Sequence, residues 1–210
     1  MTQHIDQTDQ TRQAAVAQTP QAPQTPTQPQ LRLVVGAGGG LGRAWLELLQ
    51  AQDQAASRNT ERKTHEGQEG QEGRGATPLS DAPPSHSVGW GRRTTPALDY
   101  TQPDTLDAAA AWLRGHTQAT GAALRQVVVA TGFLHSELGQ PERSWRQLDA
   151  AYLQHVMQVN AIGPALLMRA VFDQLPKRGR VVVAFVSAKV GSIGDNALGG
   201  WYGYRASKAA

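Results

Sequence analysis

Residues 31–42 read LRLVVGAGGGLG, and this stretch decides the fold of the chain. The run from Leu31 to Val35 is mostly apolar and predicts a short strand buried in a parallel sheet. The glycines that follow predict a tight turn, and the residues from Leu41 to Gln50 predict a helix. A strand, a glycine-rich turn and a helix in this order favour a binding site for the phosphates of a dinucleotide at the helix N-terminus.

The glycines of this turn have separate expected roles. Gly36 permits the sharp turn that leaves the strand, Gly40 lets a pyrophosphate approach the backbone, and Gly42 lets the helix pack against the sheet. Leu41 belongs to the same first helical turn, whose free N–H groups and partial positive charge attract phosphates. A glycine cluster alone is also found in ordinary turns, so the strand–turn–helix context carries this interpretation.

Strands and helices alternate through the rest of the chain. Further strands are expected at 97–98, 126–130 and 180–186, and helices at 103–113, from an Asp149 cap to about Val171, and from Trp201 or Tyr202. This alternation predicts one α/β domain over 31–210, a doubly wound parallel sheet with helices on both faces in three layers.

Two polar stretches interrupt the pattern. Residues 1–30 are rich in Gln, Thr and Pro, and residues 53–95 include the near-repeat EGQEGQEG at 66–73. Such segments bury too little apolar surface to offset the entropy lost on ordering, so we expect a disordered tail and a flexible insertion. The insertion stands where a second strand should follow the first helix, and no second strand is recognisable there.

Composition narrows the function classes. The formal net charge is only +3, the chain has no cysteine, and no apolar run is long enough to cross a bilayer. We therefore expect no nucleic-acid partner, no membrane span and no metal site. The N-terminus lacks the pattern of a secretory signal, so a cytoplasmic location is expected.

The spacing Gly36-x-x-x-Gly40-x-Gly42 resembles that of the short-chain dehydrogenase/reductase family, and later motifs follow in the family's order. YRASK at 204–208 is similar to its Tyr-x-x-Ser-Lys, and NAIGP at 160–164 to its Asn-x-x-Gly-Pro. GFLH at 132–135, GSIGDN at 191–196 and GGWY at 199–202 resemble the C-factor-like branch. The resemblance covers 31–208 and implies a Rossmann-type fold with an NAD(P) cofactor, which exchanges hydride with a small carbonyl or alcohol substrate.

The resemblance also implies a set of catalytic residues. Tyr204 would be the general acid or base, and Lys208 would favour its ionised form and bind the nicotinamide ribose, so that both also touch the cofactor. Asn160 would hold a water for proton relay, within a helix that its Asn, Gly and Pro should kink.

The serine that would bond the substrate oxygen has two candidates. Ser187 ends the strand expected at 180–186, and we favour it because a strand end fixes a side chain better than a loop does. The usual register of that serine falls on Ala188, so Ser192 stays open as the alternative.

Three further residues would contact the cofactor. Asp99, after the weak strand, is similar to the family's adenine-contacting aspartate, although a carboxylate there also fits a loop cap. Gly132 is similar to the glycine of the family's Asn-Ala-Gly, whereas Ala130 replaces the asparagine, which should affect the stability of the sheet more than the chemistry.

Coenzyme preference and chain length complete the expectations. Arg43, Arg58 and Arg62 lie near the missing strand and could meet a 2′-phosphate, so NADP is favoured over NAD. Family members continue beyond the position of Ala210, so the resemblance predicts a C-terminally truncated fragment that lacks the last strands. A homo-oligomer through the long helices is expected only of a full-length chain. A dinucleotide-binding signalling protein of C-factor type and an inactive fragment remain as alternatives.

Overall fold

The computed structural model describes residues 28–66 and 83–210. Its strands are β1 (Gln30–Val35), β2 (Ser85–Trp90), β3 (Ala123–Val129) and β4 (Val182–Phe185). Its helices are α1 (Gly40–Glu66), α2 (Pro103–Thr120), α3 (Ala150–Met157), α4 (Gly163–Val171) and α5 (Tyr202–Ala209). Most of the expected N-terminal tail and the repeat from Gly67 onward lie outside the described residues.

The strands form one parallel sheet in the order β2-β1-β3-β4. Leu33 and Val35 face one side and pack in a large core with residues of α2 and α4, including Leu113 and Leu167. Val34 faces the other side and packs against Leu49 of α1. Helices therefore cover both faces of the sheet, which confirms the expected α/β fold with three layers.

The expectation that the second strand is missing is wrong. Residues of β2 pair with β1 along its whole length, from Gln30↔Ser85 to Val35↔Trp90. The strand reads SHSVGW and carries a glycine, so it lacks an apolar run. A Cβ at Gly89 would lie 2.5 Å from the end of the Leu46 side chain of α1 and 2.7 Å from the Cβ of Ala37, and the Ala37 atom cannot move aside. Close packing of helix on strand, rather than hydrophobic periodicity, determines this element.

The expected insertion at 53–95 is accordingly shorter than its composition suggested. Helix α1 continues to Glu66, and β2 begins at Ser85. Only residues 67–82 of that range lie outside the described part, and flexibility there stays a prediction. Further along, the strand expected at 97–98 is reduced to a single bridge between Gly91 and Ala97.

The end of α2 and the start of α3 can be compared with the boundaries predicted from the sequence. Helix α2 does not stop near Gly115 but runs to Thr120, where Gly121 closes it at a φ of +65°. A mid-helix glycine costs only about 1 kcal/mol, which the buried side chains of α2 outweigh. Asp149 caps α3 as expected, since its carboxylate accepts the N–H of Tyr152 at 2.8 Å.

The irregularity expected near Asn160 is present. The segment Gln158–Ile162 forms a π-turn between α3 and α4, and Pro164 stands at the start of α4. Such turns are frequent at functional sites because they redirect side chains within a helix. Among the described helices, none is both long and apolar enough to cross a membrane.

Candidate functional site

A cleft of about 670 Å³ opens where β1 and β3 end. The chain leaves β1 for β2 on one side and later places β3 on the other, so this is the switch point where parallel α/β sheets bind ligands. The cleft is lined by the glycine loop, the residues after β2, the loop around Asp99 and the residues after β3.

The glycine loop shows which of its glycines the local packing requires. Gly36 has a φ of +92°, and a Cβ there would lie 2.8 Å from the backbone of Ala130. A Cβ on Gly42 would overlap the carbonyl group of Gly36, its carbon 2.7 Å away. A Cβ on Gly40, in contrast, would meet nothing within 4 Å. This open space lies at the first turn of α1, where the N–H groups have no intrahelical acceptors. Gly40 and Leu41 are not among the residues that line the cleft, so their contact with a cofactor stays a prediction.

Two arginines that follow β2 line the cleft, and the three arginines expected from the sequence do not. Arg92 and Arg93 line the cleft, whereas Arg58 and Arg62 lie on the distal half of α1 and are not among its lining residues. The Arg43 guanidinium donates a long hydrogen bond, 3.5 Å, to the carbonyl of Gly38, and Arg43 is not among the residues that line the cleft. Because the second strand was not recognised, the GRR sequence that follows it gave no usable signal.

Asp99 lines the cleft and also organises its own loop. Its carboxylate accepts the N–H of Thr101 at 2.9 Å and the hydroxyl of Thr101 at 2.7 Å. Burial alone would raise the pKa of Asp99, but these hydrogen bonds, with Arg92 and His155 nearby, hold the pKa below its usual value. The loop-cap interpretation of Asp99 therefore coexists with a position suited to a ligand.

The residues after β3 join the cleft to helix α5. Ala130 continues the β ladder, donating its N–H to Val35 at 2.8 Å, and Gly132 lines the cleft. A Cβ on Gly132 would lie only 3.4 Å from the Nζ of Lys208. The lysine head group thus lies at the edge of the cleft, next to the glycine expected to contact the cofactor.

Tyr204 and Lys208 lie one helical turn apart on α5. The Nζ of Lys208 lies 6.0 Å from the centre of the Tyr204 ring and donates to the carbonyl of Val186 at 3.1 Å. Burial lowers the pKa of Lys208. Neither Tyr204 nor Lys208 is among the residues that line the cleft, and Lys208 reaches its edge through the position of Gly132.

Asn160 connects three parts of the site. Its Oδ1 accepts the N–H of Phe133 at 2.7 Å, and its Nδ2 donates to the carbonyl of Phe133 and to the hydroxyl of Ser207, both at 2.9 Å. Ser207 belongs to the YRASK motif and is 2% exposed. Asn160 therefore ties the loop after β3 to α5, a role that the sequence did not reveal, and its relay water stays a prediction.

The structure does not decide whether Ser187 or Ser192 would bond the substrate oxygen. Ser187 is exposed, and its hydroxyl donates to the carbonyl of Lys208 at 3.0 Å, so it contacts the last turn of α5 rather than the ring of Tyr204. Ser192 follows a short turn at Lys189–Gly191. Both assignments stay predictions.

Comparison with known proteins points to dehydrogenases. No family model matches the chain. A 1-hydroxy-2-glutathionyl-2-methyl-3-butene dehydrogenase from Rhodococcus sp. (strain AD45) is 33% identical over 116 residues, which are 55% of this chain and 46% of that protein. The matched part therefore spans less than half of that relative's length.

Solved structures resemble the chain over most of its length. An NADPH-bound carbonyl reductase from chicken fatty liver has a TM-score of 0.60 at 20% identity, covering 86% of this chain and 69% of its own. A short-chain dehydrogenase from Streptomyces avermitilis has a TM-score of 0.57 at 22% identity, covering 87% of this chain and 56% of its own. At these identities the likeness shows the fold, which is of the Rossmann type.

Proposed function

We propose that this chain belongs to the short-chain dehydrogenase/reductases and uses NADP(H) to interconvert a small carbonyl compound and its alcohol. The observation that carries the proposal is the placement of the Lys208 head group against Gly132, at the edge of the glycine-loop cleft. This juxtaposition links a nucleotide-sized cleft to the Tyr204–Lys208 pair. The similarity to a curated dehydrogenase supports it.

The residues present fit a nicotinamide dinucleotide. The cleft has the volume of a cofactor site, and the space beside Gly40 is open for a pyrophosphate at the N-terminus of α1. Arg92 and Arg93 would hold a 2′-phosphate, which favours NADP over NAD, and Asp99 would face the adenine. When bound, the cofactor would supply or accept the hydride.

The protein's own contribution would be proton transfer and orientation. Tyr204 would give a proton to the substrate oxygen during reduction and take one back during oxidation. An exposed pair one helical turn apart contributes only about 0.2–0.5 kcal/mol. Lys208 is half-buried, so the effect of its charge on Tyr204 would be less screened by water than in an exposed pair. Ser187 or Ser192 would bond the substrate oxygen.

Within the family we favour the C-factor-like branch. The sequences GSIGDN at 191–196 and GGWY at 199–202 support this assignment. The substrate is proposed only at the level of a carbonyl or alcohol compound.

The full-length protein carrying Tyr204→Phe tests the enzyme proposal. Turnover of NADPH with a panel of aldehydes and ketones should fall at least about 100-fold, the usual contribution of a general acid, while NADPH affinity is kept. Tyr202→Phe is the matched control, because Tyr202 lies in the same helix and stacks on Trp145 at 4.2 Å. Turnover that survives Tyr204→Phe, or that falls equally in both variants, would contradict the proposal.

A further inference from the structure

Glu142 is a buried carboxylic acid that the proposed reaction does not use. It lies in the loop between β3 and α3 and is 1% exposed. Burying a carboxylate is costly unless hydrogen-bond donors compensate it. The identity of its donors therefore indicates what this residue does.

The backbone at the beginning of α5 donates to Glu142 at two places, once to its side chain and once to its main-chain carbonyl. The N–H of Gly203 lies 3.3 Å from each carboxylate oxygen of Glu142, and the N–H of Trp201 donates to the Glu142 carbonyl at 2.5 Å. Trp201 is the N-cap of α5 and makes no capping hydrogen bond with its own side chain. Glu142 thus supplies from a distant loop the acceptor that an N-cap side chain usually provides.

The backbone before α5 is shaped to reach Glu142. Gly199, Gly200 and Trp201 have φ values of +67°, +69° and +54°. The left-handed conformation is unfavourable for a bulky residue such as Trp201, so the neighbouring contacts must maintain it. A Cβ would lie 3.1 Å from the Glu142 carbonyl oxygen at Gly200, and 3.0 Å from the Glu142 carboxylate at Gly203, so glycine allows the close approach at both positions.

The other anchors of α5 lie farther along the helix. Asn160 holds Ser207, and the Ser187 hydroxyl holds the carbonyl of Lys208. Glu142 contacts Gly203, the residue directly before Tyr204. The Ser207 hydroxyl in turn donates to the carbonyl of Tyr204 at 2.8 Å, so the backbone around the candidate acid is held on its C-terminal side by Ser207 and on its N-terminal side by Glu142.

We propose that Glu142 is a positioning residue that caps α5 and fixes the place of Tyr204 relative to the substrate. This rests on the proposed function, since it assigns Glu142 a role in the same reaction. The carboxylate contributes an acceptor at the right distance, and its negative charge is also favourable at a helix N-terminus.

Two substitutions of Glu142 in the full-length protein separate the effect of side-chain length from the effect of charge. Glu142→Gln keeps the length and one acceptor oxygen but removes the charge, whereas Glu142→Asp keeps the charge but shortens the side chain by one methylene. We expect kcat within about threefold of the wild type for Gln and at least about tenfold lower for Asp, because small misplacements of a reacting group are costly. NADPH affinity should change less than about twofold in both, because Glu142 does not line the cleft.

Amide hydrogen exchange supplies a readout that does not need turnover. Exchange at Gly203 should be faster in Glu142→Asp and near the wild-type rate in Glu142→Gln, with Val128 in the sheet unchanged in both. Glu137→Gln and Glu137→Asp are the matched controls, since Glu137 is an exposed carboxylate in the same loop.

Each outcome decides the proposal. The proposal is overturned if amide exchange at Gly203 is the same in the wild type and in all variants. It is also overturned if Glu142→Asp is active while Glu142→Gln is impaired, or if kcat and NADPH affinity fall in parallel. If the wild-type protein turns over no carbonyl compound, the proposed function fails, and the positioning role fails with it. The exchange rates would still report separately whether Glu142 caps α5.

Discussion

Two substitutions in the glycine loop separate an effect on folding stability from an effect on cofactor binding. Each adds one methyl group, at Gly42 or at Gly40. In Gly42→Ala the new Cβ would lie 2.7 Å from the carbonyl carbon of Gly36, well inside ordinary contact. Backbone cannot move aside as a flexible side chain does. We therefore expect unfolding free energy to fall by about 1–3 kcal/mol, of which the better helix propensity of alanine offsets at most about 1 kcal/mol.

Gly40→Ala should behave in the opposite way. Its Cβ would meet nothing within 4 Å, so the folded protein should be as stable as the wild type or more stable by about 0.4–1 kcal/mol. The methyl group would nevertheless fill the space intended for the pyrophosphate. NADPH affinity should then fall at least tenfold, which corresponds to about 1.4 kcal/mol.

Urea unfolding without cofactor and titration of nicotinamide fluorescence measure the two effects separately. The reasoning is refuted if the folded Gly40→Ala protein binds NADPH as tightly as the wild type, since the cofactor would then not approach this loop. A Gly42→Ala protein of unchanged stability would refute the packing argument instead.

Three further outcomes follow from the site. Lys208→Ala should lower both kcat and NADPH affinity, unlike Tyr204→Phe, and a loss confined to one of the two would contradict its double role. Replacing Arg92 and Arg93 by Ala should weaken NADPH binding at least about tenfold and leave NADH binding nearly unchanged at fixed salt, whereas equal losses would remove the 2′-phosphate assignment. Burial, with the neighbouring His116, lowers the pKa of His86 below 6.5. The unfolded chain therefore takes up a proton on His86 at a higher pH than the folded chain, and the stability that neutral His86 contributes is lost as the pH falls below about 6.5. His86→Asn should flatten that loss in urea unfolding, and an unchanged pH slope would show that His86 does not cause it.

Local sequence rules predicted the elements whose signals lie within a few residues. The apolar run from Leu31, the Asp149 cap and the irregular turn at Asn160 all arise from short-range chemistry, and the structure contains each of them. Strand β2 was missed because its stability comes from pairing with β1 and from the close approach of α1 at Gly89. Neither contact leaves a periodic pattern in the sequence.

The same limit applies to the site. The order of Gly36, Asn160 and the YRASK motif suggested which elements come together, and the structure places Lys208 next to Gly132. The partners of individual polar atoms could not be predicted, because they depend on loops brought from far along the chain. The link from Asn160 to Phe133 and the capping of α5 by Glu142 are examples.

Transfer of deuterium from the cofactor tests the central claim most directly. The full-length protein would be incubated with NADPH that carries deuterium at C4 of the nicotinamide ring, together with each aldehyde or ketone of the panel. The alcohol would then be analysed by mass spectrometry. The account predicts an alcohol that carries the deuterium on its carbinol carbon, and at least about 100-fold slower formation of that product by the Tyr204→Phe protein. Alcohol without deuterium, or no alcohol from any compound of the panel while NADPH binds tightly, would contradict it.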